Sequence, residues 1–161
     1  DIPKDASIFC VGYNLGDMQV SVTGTCFVNE SEYVTAFREI VEELGILFNH
    51  NYLRIHSHGQ HYKRKKDTTT IFTLCADDCK PIPIPNRENI IVSTDRHDRS
   101  RKVSIIIYGS KEGVNRMMEM AYPLDKNERI IFYGSVPSPV TTEIARIMKH
   151  VSELPNIRRV I

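Results

Sequence analysis

Tryptophan is absent, and aromatic residues fill only 8% of the 161 positions, so the chain has little material for a broad base-stacking platform. Tyr13, Tyr52 and Tyr62 are the stacking candidates that remain. Cysteine is scarce as well. Cys10, Cys26, Cys75 and Cys79 sit mostly in apolar, strand-like runs, which excludes a disulfide-dense scaffold and suits reduced thiols in a cytoplasmic or nuclear setting, although two disulfides stay open on number alone. No apolar run approaches the roughly 18 residues of a membrane span, and no basic-then-apolar leader opens the chain, so a soluble protein without a membrane partner is expected. A surplus of charge is missing too. Twenty-one Lys and Arg against 20 Asp and Glu leave +1, which excludes a global field that draws the protein to nucleic acid. There are no internal repeats and no low-complexity segment, and the length suits a single domain over 1–161 with its own core.

Charge is distributed unevenly along this balanced chain. Positive charge gathers at Lys63, Arg64, Lys65 and Lys66 and again between Arg96 and Lys102, where Arg99 and Arg101 lie. Acids concentrate in 39–43. At roughly 100° per residue, Tyr33, Phe37, Ile40, Val41 and Leu44 stack on one side of a helix, while Glu39, Glu42 and Glu43 span about 100° of the opposite side. Like charges at this spacing weaken a helix. A solvated acidic face explains them without function; a divalent cation explains them with it, because Mg2+ and Mn2+ favour hard oxygen ligands. Asn29 and Ser31 are candidate caps at the start of this helix, and Gly45 is a natural stop.

The rest of the chain reads as strands with a few helices. Residues 7–13 and 18–27 form a predicted hairpin about a turn at 14–17, followed by strands over 52–62, 68–76, 89–93, 103–108 and 128–136. The three prolines of 80–85 confine that segment to a connector or an edge. Residues 94–102 read as a charged loop, 111–120 as a short helix filled by Val114, Met117 and Met118, and 138–151 as a closing helix. His56, His58 and His61 with Cys75 and Cys79 match no common zinc-finger spacing. Pattern alone predicts α/β or α+β in two or three layers.

One stretch carries more. Gly24, five residues, Glu30, seven residues, Arg38 and Glu39, aliphatic Ile40, one residue, Glu42 and Glu43, one residue, Gly45 and aliphatic Ile46 together resemble the complete signature of the Nudix hydrolases. Val22 and Thr23 depart from the Pro and Gly that often precede the signature glycine, which bears on the approach loop and on substrate choice. The resemblance implies an α/β/α sandwich around a mixed sheet. It implies Mg2+- or Mn2+-dependent hydrolysis of the diphosphate linkage in a nucleoside diphosphate derivative, with Glu39, Glu42 and Glu43 as metal ligands beside the backbone oxygen of Gly24. Glu39 is alternatively the base. Arg38 then pairs with an acid such as Glu30 and orients a ligand. A distal base is sought among Glu88, Glu112 and Glu128. With Lys63, Arg64, Lys65, Lys66, Arg99 and Arg101 as substrate contacts, the 5′ cap of mRNA (decapping) and diphosphoinositol polyphosphates both enter the substrate range. The alternative from another class is a non-catalytic module that grips RNA or a partner protein.

Overall fold

The architecture was obtained as a computed structural model, which describes residues 2–14, 17–90, 92, 95–124, 129–138 and 156–160. Its spine is β8 (His97–Gly109), a 13-residue strand whose Val103, Ile105 and Ile107 alternate inward as a half-buried strand requires. Around it runs a mixed sheet in the order β10 (Asn156–Arg159), β9 (Phe132–Pro137), β1 (Ser7–Asn14), β8, β6 (Thr68–Cys75) and β5 (Arg54–Gln60). The β6–β8 pair is parallel and the other pairs antiparallel.

This sheet forks. β1 pairs with β8 only at Ser7↔Gly109 and Ile8↔Tyr108, and β3 (Val22–Phe27) then takes β8 as its partner from Ile105 back to His97. β2 (Asp17–Gln19) stays with β1. The single strand expected over 18–27 is therefore two, divided at Val20 and Ser21, because one half follows β1 and the other β8.

α1 (Glu32–Leu44) and α2 (Lys111–Met120) both contribute to one apolar cluster with Phe9, Val11, Phe72, Leu74, Ile105 and Tyr133. Ile8, Cys10 and Val136 form a second cluster on alternate positions, joined by Ile2, Val20, Ile106 and Tyr108. A mixed α/β fold with a mixed central sheet and two helices results. All four cysteines are free thiols, and burial pushes those of Cys10 and Cys79 up to about 12. Among the described residues, no helix is long and apolar enough to cross a membrane.

Several sequence expectations need correction. The charged loop over 94–102 is strand from His97 onward, because β3 pairs with it down to His97 and β6 joins on the other side from Arg101. The strand expected at 52 starts at Arg54, since Asn49 caps a 3-10 turn over His50–Tyr52 by accepting from the Asn51 N–H at 3.1 Å. The prolines of 80–85 do leave an edge pairing, β7 (Ile82–Pro83) on β4 (Ile46–Leu47). Of the strand expected over 89–93, Asn89 closes a 3-10 turn over Arg87–Asn89, Ile90 and Val92 are not in a strand, and 91 and 93 lie outside the described residues. β9 starts at Phe132 rather than 128 and is followed by β10. The closing helix expected over 138–151 lies outside the described residues apart from Ser138.

Candidate functional site

α1 begins where Ser31 turns the chain into the helix, its hydroxyl accepting from the Val34 N–H at 3.2 Å. It stops at Gly45, whose φ of 60° is the left-handed conformation that glycine adopts without a side-chain clash. Between these caps the buried residues are Thr35, Ala36, Ile40, Glu43 and Leu44. Ala36, Ile40 and Leu44 of this set seat the helix in the apolar cluster. The buried arc is turned from the one centred on Tyr33, Phe37 and Val41, and Glu43 moves from the expected polar front into the seam at 2% exposure. There it accepts a hydrogen bond from the Tyr13 hydroxyl, while its backbone carbonyl accepts from Tyr133 at 2.5 Å. Tyr13, a stacking candidate from sequence, is a carboxylate partner in the fold.

Arg38 organises the other acids. Its Nε and Nη2 donate to Glu30 at 2.9 Å each, Nη1 donates to Glu39 at 2.9 Å and to Glu42 at 3.1 Å, and Nη2 also reaches the Thr25 carbonyl at 3.0 Å. All five N–H groups are engaged. The guanidinium carbon lies 3.9 Å from the centroid of the Phe27 ring, a cation–π contact that closes its remaining face. Burial alone would weaken this charge, but Glu30, Glu39 and Glu42 around it raise its pKa above the ordinary value.

Glu30 and Glu39 respond in opposite ways to their surroundings. Burial pushes Glu30 up, but hydrogen bonds from Arg38, Thr35 and the Phe27 N–H outweigh it and hold the carboxyl below its usual range. For Glu39 burial wins. Arg38 opposes it, the neighbouring Glu42 charge adds to it, and the pKa is pushed up to about 7. Glu39 also lies directly against Gly24: a Cβ there would stand 2.2 Å from its Cδ, so glycine is required by close approach. Gly24, Arg38, Glu39 and Glu42 are thereby brought together as the sequence led one to expect. Among the described residues, however, no three His, Cys, Asp or Glu side chains form a group set to hold a metal ion, because Arg38 Nη1 stands between Glu39 and Glu42 while Glu43 is engaged with Tyr13.

A second arginine fastens the loop in front of the helix. Arg101, on β8, donates through Nε to Asp98 at 2.9 Å, through Nη1 to Glu32 and the Glu30 carbonyl, and through Nη2 to the carbonyls of Phe27 and Val28. It was expected to contact substrate; its five donors are committed to the protein. Hydrogen bonds from Ser100 and Arg101 lower Asp98 to about 2. Sequence offered a cation in a charged stretch but no sign of this clamp, because its acceptors are main-chain carbonyls about 70 residues away in the chain.

The remaining cations lie elsewhere. Lys63, Arg64, Lys65 and Lys66 form the exposed β5–β6 turn, and Arg99 is exposed on β8. Thr68 stands opposite Arg101 in the parallel ladder, so the basic turn and the charged end of β8 share one end of the sheet. Of the distal acids, Glu88 is exposed on the turn Arg87–Asn89, Glu112 is exposed in the first turn of α2, and Glu128 lies outside the described residues. An open groove of about 520 Å3 runs beside the turn, lined by Glu32, His58, Gly59, Gln60, Thr68, Thr70 and Arg101.

Comparison with protein-family models, with curated proteins and with solved structures finds no match to this chain.

Proposed function

We propose that the chain is a Nudix-type pyrophosphohydrolase that uses Mg2+ or Mn2+ to cleave the diphosphate linkage of a nucleoside diphosphate derivative. The observation that carries this reading is the seating of Glu39 against Gly24 with Glu42 beside it, both reached by one nitrogen of Arg38. Hard oxygen donors of this kind suit a small divalent cation. The fit has a further basis: Glu30, Glu39 and Glu42 share the single guanidinium of Arg38, so the cluster is short of positive charge while all three are ionised. Glu39 and Glu42 would hold the ion, with Glu43 and the Gly24 backbone next to them. When bound, such an ion neutralises the diphosphate and makes phosphorus more open to attack by water.

The chain's own residues supply the rest of the chemistry. Arg38 fixes the rotamers of Glu39 and Glu42 and is itself fixed by Glu30 and Thr25, so the acids meet a substrate already oriented. Alternatively Glu39 is the general base rather than a ligand, its carboxyl raised by burial to about 7 in the metal-free protein. Phe27 shields the guanidinium from water. The groove of about 520 Å3 that reaches Glu32, on the first turn of the same helix, leaves room for the group attached to the diphosphate.

The test compares wild type, Glu42→Gln and Glu43→Gln on ADP-ribose, a dinucleoside polyphosphate, capped RNA and a diphosphoinositol polyphosphate in Mg2+ or Mn2+. Expected is turnover of at least one substrate, reduced roughly 100-fold or more in each variant at unchanged thermal midpoint. Wild-type turnover in both variants would overturn the reading.

A second reading is favoured by one feature, the Nη1 of Arg38 in the position between Glu39 and Glu42. In a non-catalytic binding module that ion network is simply structural. Absence of turnover on every substrate, with no heat of divalent-cation binding, selects it.

A further inference from the structure

We infer that the outer strand β5 and the turn that follows it form a binding track for single-stranded nucleic acid, with Tyr62 as a stacking platform. Such a track stands beside the hydrolase reading and does not need it. Charge points to it first: residues 54–66 carry five Lys or Arg and three His with no acid, in a chain whose net charge is only +1. The sheet gives that segment a free side. Among the described residues β5 is the terminal strand, paired only through β6, and nearly all of its residues are exposed. A row of unpaired backbone groups flanked by cations suits an extended polyanion, and the same cations discourage pairing with a second copy of this strand.

The turn itself is built rather than loose. The His61 N–H donates to the Asp67 carbonyl at 3.0 Å and the Asp67 N–H to the Arg64 carbonyl at 2.8 Å, while His61 Nδ1 accepts from the N–H groups of Lys63 and Arg64. Arg64 pairs with Asp67 at 2.9 Å. On this frame the rings of His61 and Tyr62 stack at 5.2 Å and 15°, and Lys63 Nζ lies 5.5 Å from the centroid of Tyr62. Tyr62 is nevertheless 79% exposed, the highest value among the exposed large apolar side chains. A pre-oriented aromatic face with cations beside it is the arrangement that receives an unpaired base, since every base has a π-face and every backbone a phosphate.

The groove described above starts at the Gln60↔Thr68 pair, next to this turn, and ends at Glu32 on the first turn of α1. His58, hydrogen-bonded through Nδ1 to Thr70 at 3.1 Å, lines its floor, and the one acid in its wall, Glu32, is paired with Arg101. From Glu32 to Glu39 is two turns along the same helix, about 10 Å. An unpaired strand stacked on Tyr62 is therefore directed toward α1.

The test is fluorescence anisotropy with a labelled single-stranded RNA of about 12 nucleotides, the matching DNA, their duplexes and an acidic polyglutamate peptide. Single strands should bind more tightly than duplex or peptide, with RNA against DNA deciding which nucleic acid is preferred. Tyr62→Ala should weaken binding about tenfold with the salt slope unchanged, and Tyr62→Phe should retain it. The double variant Lys65→Ala, Lys66→Ala should instead reduce the slope of log affinity against log salt, by about 0.7 for each phosphate no longer neutralised. Glu42→Gln should bind like wild type, which separates this test from that of hydrolysis. Equal binding of the peptide, or a Tyr62→Ala variant indistinguishable from wild type, would overturn the inference.

Discussion

Replacing Arg38 with Met removes the charge but keeps much of the stem that packs on Phe27. Five hydrogen bonds disappear together, and the carboxylates of Glu30, Glu39 and Glu42 are left in a pocket where their side chains are 11%, 13% and 17% exposed. Breaking a buried ion network by removing one partner costs about 3–5 kcal/mol, mostly through the charge left behind. The residual exposure of all three acids, and their freedom to take up protons, place the expected loss near the lower end, about 3 kcal/mol at pH 8. At a urea m-value of about 2 kcal/mol per M, the unfolding midpoint then falls by about 1.5 M without a change in m. Arg38→Lys should recover only part of this, since one ammonium cannot span Glu30, Glu39 and Glu42 as the planar fork does. The assay is urea unfolding in EDTA at pH 8 and again at pH 5, where protonation of the orphaned carboxyls should shrink the difference from wild type. Adding Mg2+ at pH 8 should raise the midpoint of the Met variant more than that of wild type. A Met variant within about 0.5 kcal/mol of wild type at both pH values would refute the assignment of Arg38 as the counter-charge of this cluster.

Three further outcomes follow from neighbouring residues. Glu39 titrates near 7 in the fold against an ordinary 4.5, so the native state holds a proton that the unfolded chain has lost between these values; this stability is full below 4.5 and gone above about 7. Metal-free Glu39→Gln should therefore gain on wild type as pH rises from 5 to 8, by at least about 1 kcal/mol in urea unfolding, and an unchanged difference would argue against a raised pKa. Gly24→Ala should cost about 1–3 kcal/mol in thermal or urea unfolding, because its methyl group would displace the Glu39 carboxyl from 2.2 Å. Asp77 accepts from the Ser110 N–H at 2.7 Å and the Ser110 hydroxyl at 2.6 Å, which depress its pKa below 3.8. Asp77→Asn should lose about 1 kcal/mol at pH 7, and the gap to wild type should close as acid titration passes below 3.8, since a depressed carboxylate stabilises only while ionised.

Local signals were legible wherever the chain settles its own geometry. Ser31 and Gly45 bound α1, the inward run of Val103, Ile105 and Ile107 marks the inner half of β8, and α2 spans 111–120 as its spacing predicts. Each is decided by side chains within a turn or two. The misreadings lie where distant partners decide. The outer half of β8 looks like a loop because Asp98, Arg99 and Arg101 are charged, yet β3 pairs with it down to His97, β6 joins from Arg101, and Arg101 is neutralised by Glu32 and Asp98. Glu43 looks solvated on a helical wheel because bulky Tyr33, Phe37 and Val41 dominate the count. In the fold the residue turns inward, where the Tyr13 hydroxyl on β1 donates to its carboxylate and the Tyr133 hydroxyl on β9 to its backbone carbonyl. The pairing of Arg38 with an acid such as Glu30 was an expectation of the signature resemblance; the Arg101 clamp had no such sign.

The fork in the sheet also dictates when this site can come into being. Tyr13 and Tyr133 reach α1 from one prong and Gly24 from the other, so the two sides of a single helical turn depend on stretches more than a hundred residues apart in the chain. A nascent chain halted before β9 emerges possesses every signature carboxylate but lacks part of the seat on which α1 rests. Pairings of such long sequence separation form slowly, so completion of this cluster should trail helix formation during refolding, arriving only once β1 has found β9 more than a hundred residues downstream.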